Sequence, residues 1–101
     1  MEITVTGKQL EITPAIREYA GDKTAKLPRY FDRITEIEIL AGKTDTWSYE
    51  IEVIVHAERS DPFIAHSQGD DLYACIDDTV NKLERQLHEH KEKLRNRKHH
   101  G

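Results

Sequence analysis

The segment Asp70–Lys98, DDLYACIDDTVNKLERQLHEHKEKLRNRK, carries one register of Tyr73, Ile76, Val80, Leu83, Leu87, His90 and Leu94 at alternating steps of three and four. Such spacing is the period of a helix with one face turned to a core, and it predicts a single long amphipathic helix lying on whatever precedes it. Asp70 or Asp71 can cap its start, and both place negative charge where the helix dipole favours it. Lys82, Arg85, Gln86, Glu89, Lys91 and Lys93 fall outside the register, and Arg95, Arg97 and Lys98 follow where it stops. The outer face of the helix is therefore expected to be mostly basic.

The preceding residues read as a sheet. Ile3 and Val5 alternate with Thr4 and Thr6, a strand over 2–7 that ends in a turn at Gly7. Thr13 then offers a capping hydroxyl, and Pro14 stands at the first helical position, where its missing N–H costs nothing. A helix is expected over 14–27, with Ile16, Tyr19, Ala20 and Leu27 facing inward and Pro28 ending it. Tyr30 and Phe31 pin the connection that follows. A second strand is read over 34–41, closed by Gly42, with Gly42–Asp45 as a turn. Trp47, Tyr49, Ile51, Val53 and Val55 then alternate with Ser48, Glu50, Glu52 and Ile54, the cleanest period of two in the chain. On this pattern Trp47 is expected to be a core anchor at the strand's edge. Phe63, Ala65 and Ser67 mark a fourth strand ending at Gly69.

The order β-α-β-β-β-α predicts an α+β fold: a four-stranded mixed sheet, its last three strands an antiparallel meander and its first parallel to a neighbour, with two helices on one face. Glu36, Glu38, Glu50, Glu52 and Glu58 would make the other face acidic. A helix from Asp71 to Arg95 is roughly 37 Å long and a seven-residue strand only about 23 Å, so the helix end should overhang the sheet. One domain is expected over residues 1–95, followed by a basic, disordered tail at 96–101.

Charge is unevenly spread. Residues 82–100 hold seven Lys and Arg against three Glu, a balance of +4, whereas residues 1–81 hold eight against sixteen Asp and Glu, a balance of −8. A basic helical end on an acidic body can dock on phosphate while the body faces away. No stretch is apolar enough to span a membrane, and the N-terminus lacks the basic flank and apolar run of a secretory signal. With Cys75 as the only cysteine, a reducing cytoplasm is the simplest compartment, and its place beside Ile76 marks it as a small buried hydrophobe. The six histidines form no compact ligand set: His88 and His90 point to different sides of a helix, His99 and His100 fall in the tail, and His56 with His66 is at most a cross-strand pair. No nucleophile-base arrangement or phosphate loop is present, so no enzyme, cofactor, metal or small-molecule substrate is expected.

Two stretches resemble a known family. Gln9–Tyr19 (QLEITPAIREY), with Ala25-Lys26-Leu27 and Tyr30–Ile34 (YFDRI), is similar to the first helix region of the bacterial ribosome hibernation promoting factors, which include the ribosome-associated translation inhibitors. Asp71–Asp77 (DLYACID), running into Asn81–Leu87 (NKLERQL) and His90–Leu94 (HKEKL), resembles their second helix. The resemblance implies a double-stranded-RNA-binding-like domain that silences idle ribosomes. It would do so on the small subunit near the decoding centre, in the channel of messenger RNA and the A- and P-site transfer RNAs. It implies ribosomal RNA and ribosomal proteins as partners, and RNA contacts from Lys23, Lys26, Lys82, Arg85, Gln86, Lys91 and Lys93, with Arg29 and Arg95 as additions. Pro28 departs from the family pattern, in which a charged or polar residue often follows the Lys-Leu pair. The chain resembles the short type, without the domain by which long members pair ribosomes, and is expected to be a monomer off the ribosome. A competing reading from a different class is a protein-interaction module whose overhanging helix packs on a partner helix.

Overall fold

The computed structural model describes the backbone of residues 1–100 and the side chains through Asn96. Its elements are β1 (Glu2–Lys8), α1 (Pro14–Thr24), a single 3-10 turn (Leu27–Arg29), β2 (Ile34–Asp45), β3 (Ser48–Ala57), β4 (Phe63–Gly69) and α2 (Leu72–His100). The expected tail at 96–101 falls largely on Arg97–Gly101, which lie outside the described side chains. Strand order in the sheet is β1-β2-β3-β4, with β1 parallel to β2 and the other two pairings antiparallel. That is the mixed sheet expected from the element order.

Local chemistry sets the element ends. Thr13 is extended and its hydroxyl accepts from the Ile16 N–H at 3.2 Å, with Pro14 opening α1. At the start of α2 the Asp71 carboxylate accepts from the N–H groups of Tyr73 and Ala74 at 3.0 and 3.3 Å, so Asp71 rather than Asp70 is the cap. The turn after β1 needs Gln9 at φ 56°, and a Cβ on Gly7 would sit 2.1 Å from the Leu10 carbonyl oxygen. Only glycine lets the chain fold back that closely.

Four expectations change. The first helix stops at Thr24, not Leu27, because Pro28 admits only a 3-10 turn there, which buries Leu27 completely. β2 does not close at Gly42 but runs on to Asp45, pairing Gly42 with Glu50 and Lys43 with Tyr49, so the hairpin tip projects beyond β1. Trp47 is in that tip and 80% exposed, its N–H held by the Asp45 carboxylate at 2.8 Å; it anchors no core. Tyr73 leaves the buried register of α2, which is taken by Leu72, Cys75, Ile76, Val80, Leu83 and Leu87.

The core lies between the helices and one sheet face, where Ile37, Ile39, Ala41, Ile51, Val53, Val55 and Ala65 meet α2 and Ile16 and Ala20 of α1. Burial of this alternating set is the main stabilising contribution. Further along α2, His90 packs edge-to-face on Phe31 and Phe63 with centroids 5.2 and 5.1 Å away, and Leu94 packs against the core margin. These contacts fasten the helix well past Leu87. The described molecule is 53 Å along its longest axis, against about 40 Å for the twelve residues of β2, its longest strand.

Candidate nucleic-acid interface

The cations named from the sequence lie on the helical side of the molecule, on two flanks of α2. On the flank facing α1, Lys23 and Lys26 border a shallow groove of about 220 Å³ with Asp77, Val80, Asn81 and Glu84 of α2. Further along, Lys91 and Arg95 border a second groove, of about 190 Å³, with Phe31, Asp32, Arg33 and Leu94. Arg33, which the sequence groups with Arg17, Lys23, Lys26 and Arg29 as a second, smaller basic set, thereby lies beside the cations of α2. Arg29 is exposed on the 3-10 turn, and Arg85 and Lys93 are exposed on α2.

Lys82 and Gln86 lean the other way. The Lys82 ammonium donates to the His66 carbonyl at 2.7 Å and the Ser67 hydroxyl at 3.2 Å, and lies 3.4 Å from the Asp78 carboxylate. The Gln86 amide donates to the Ile64 carbonyl at 3.0 Å. β4 is an edge strand, and residues 64 and 66 turn their main-chain groups outward, so the two side chains satisfy carbonyls that would otherwise be open to pairing. Their positions one turn apart on the helix, beside the buried register, are the signal that could have found this role.

Lys23 is also held. The Tyr19 hydroxyl donates to Asp77 at 2.7 Å, the Lys23 ammonium lies 3.4 Å from the same carboxylate and 5.5 Å from the Tyr19 ring centre, and Tyr73 packs edge-on against Tyr19 at 4.9 Å. This clasp ties α1 to α2 and sets the spacing of the cations they carry. Donation to Asp77, and then burial, push the Tyr19 phenol above its ordinary pKa. The Asp78 carboxyl is held below the ordinary range, first by the Ser67 hydroxyl and then by Lys82. Arg95 lies 3.9 Å from Glu92. For Lys26, Arg29, Arg85, Lys91 and Lys93 no ion pair is found among the described residues.

Cys75 is buried as a packed small side chain, and desolvation raises its thiol pKa. Among the described residues no three His, Cys, Asp or Glu side chains are grouped to hold a metal ion, and no helix is long and apolar enough to cross a membrane. The chemistry available on the helical side is recognition of anions by fixed and flexible cations.

A mixed sheet of this order, covered on one face by two cation-bearing helices, places the protein in the class of α+β domains built in the order β-α-β-β-β-α. Within that class, a family model described as Sigma 54 modulation protein / S30EA ribosomal protein matches residues 3–95, and the chain belongs to this family. It is 38% identical over 95 residues to the ribosome hibernation promoting factor of Escherichia coli K12, covering 94% of this chain and 98% of that one. To the factor of the same name from Azotobacter vinelandii it is 37% identical over 93 residues, covering 92% and 85%. Among solved structures it superposes on a ribosomal subunit interface protein from Coxiella burnetii with a TM-score of 0.82 at 29% identity, covering 91% of this chain and 99% of that one. The N-terminal domain of Thermus thermophilus Protein Y gives 0.79 at 32% identity, covering 88% and 98%. The family named by the two helix motifs is the one these comparisons return.

Proposed function

We propose that this protein silences idle ribosomes by occupying the small subunit near the decoding centre, in the channel otherwise filled by messenger RNA and the A- and P-site transfer RNAs. The observation that carries the reading is the placement of Lys26, Arg29, Arg85, Lys91 and Lys93 on the helical side of a domain whose relatives are named ribosome hibernation promoting factors. Cations with no ion pair among the described residues gain most by displacing counterions from phosphate, a salt-dependent contribution blind to sequence. The rigid spacing of the two helices, set by the Tyr19–Asp77 clasp, then selects a site by shape. Lys23 and Arg95 on the same flank, and Lys82 and Gln86 on the flank beside β4, would exchange their internal partners for RNA. Inhibition on this reading is competition by occupancy, carried out in the cytoplasm by a protein that is a monomer off the ribosome.

The test is co-sedimentation with purified small ribosomal subunits over a salt series, with a Lys26→Glu/Arg85→Glu variant alongside. Saturable binding that weakens with salt and is lost in the variant is the expected result. A wild-type protein that stays in the supernatant at low salt would end this reading.

A further inference from the structure

The sheet face away from the helices is not a plain solvated surface. Leu40, 37% exposed, Ile54 and Ile64, 51% exposed, form a diagonal apolar strip across β2, β3 and β4: Ile54 pairs with Ile64, and Leu40 sits opposite Glu52, two residues from Ile54 on the same face. Carboxylates border the strip on both sides. Glu38 accepts from His56 at 2.6 Å on one side, and Glu50 lies 3.7 Å from His66 on the other. Glu36 and Glu52 continue the two borders, and no ion pair to either is found among the described residues. Where β2 has Gly42 instead of a side chain, the face dips into a depression of about 230 Å³ walled by Lys8, Glu50, Glu52 and His66 and floored by Leu40 and Ala41.

We propose that this face is a docking surface for an extended, arginine- or lysine-rich protein segment with an apolar residue at its middle. The apolar residue covers the Leu40–Ile54–Ile64 strip, and the flanking cations reach Glu36 and Glu38 on one border and Glu50 and Glu52 on the other. One long aliphatic stem lies in the Gly42 depression, its charged head against Glu50 or Glu52, which is how Lys and Arg bury their stems while keeping their charge hydrated. Charge complementarity names the occupant: four glutamates outweigh Lys8 at the edge of the depression, so the face repels a phosphate backbone and attracts a basic peptide. The surface is separate from the helical cations, so partner protein and RNA address opposite sides of the sheet.

The probe is a fluorescein-labelled peptide of four arginines around one isoleucine, titrated with the full-length protein by fluorescence anisotropy and mapped by amide chemical-shift changes. The expected result is saturable binding with shifts centred on Leu40, Glu52, Ile54 and Ile64. Glu36→Gln/Glu52→Gln, isosteric on a solvent face, should weaken binding roughly tenfold, at up to about 1 kcal/mol for each lost charge. Leu40→Ser should weaken it too, and Glu18→Gln/Glu89→Gln on the helical side should not. Equal weakening by the two double Gln variants, shifts confined to the helical side, or no binding overturns the proposal. So does a short RNA oligomer that shifts this face while the peptide does not.

Discussion

The Lys82 ammonium donates to the main-chain carbonyl of His66 at 2.7 Å, and one helical turn later Gln86 does the same to Ile64 at 3.0 Å, so α2 closes the outer edge of β4 with its own side chains. Removing both groups in Lys82→Ala/Gln86→Ala should lower unfolding stability by about 1 kcal/mol, since each is a partly exposed hydrogen bond. It should also leave the strand open to pairing with a second copy. Urea unfolding and sedimentation velocity over a range of protein concentrations check the two effects. A variant as stable and as monomeric as the parent would mean that the edge contacts contribute nothing.

The same relationship separates two cations that sequence spacing places together. Arg85 is exposed and unpaired among the described residues, whereas Lys82 already faces Asp78, Ser67 and a carbonyl. On the proposed RNA surface Arg85→Ala should therefore reduce the slope of log affinity for small subunits against log salt by about one phosphate contact. Lys82→Ala should change it less, because part of the ammonium's interaction must be given up on binding. Equal slopes for both variants would count against any difference between the two positions.

Most of the fold is legible in the sequence because its signals are local. The alternation through Ile51, Val53 and Val55, the Thr13-Pro14 start and the three-four register of α2 each act within one element, and each predicts the element found. Trp47 is misread for a physical reason: it extends the alternation by one step, and a period of two cannot say where a strand gives way to a turn. That boundary is set by the Asp45 side chain, which folds back onto the Trp47 N–H. The candidate site is less legible than the fold. Which polar residues of α2 are free and which serve the edge of β4 depends on strand order and on side-chain reach, and neither is a property of helical spacing.

Trp47 is the only tryptophan and supplies a direct check of that boundary. At 80% exposure its emission in the folded protein should be red-shifted and quenched by acrylamide almost as readily as in urea. Trp47→Ala should change stability by no more than about 0.5 kcal/mol, the range of surface substitutions. A blue-shifted, protected emission, or a loss of several kcal/mol typical of a large core deletion, would return Trp47 to the core.

Asp78 links stability to pH. Its folded-state pKa is depressed by the Ser67 hydroxyl and by Lys82, so the carboxylate contributes stability that is present above its unfolded pKa and is lost as pH falls through the lower, folded value. The stability of the parent over Asp78→Asn should be greatest near neutrality and shrink to nothing in acid, below the ordinary carboxylate range. Urea midpoints of both proteins across that range measure it. A difference independent of pH would assign the effect to shape rather than to charge.

Leu87 and Leu94 distinguish a helix serving its own domain from one reserved for a partner helix. Leu87 is completely buried against the sheet, and Leu94 is half-buried at the core margin beside Phe31. Leu87→Ala should cost about 2–5 kcal/mol, the range for a truncated core leucine, and Leu94→Ala distinctly less, because solvent already reaches that site. Thermal unfolding ranks the two. If α2 instead kept its far end for a partner helix, Leu94→Ala would leave stability untouched and abolish a binding insensitive to salt. The stability loss expected here follows from Leu94 packing on its own domain, which leaves little of that side chain free for a second helix.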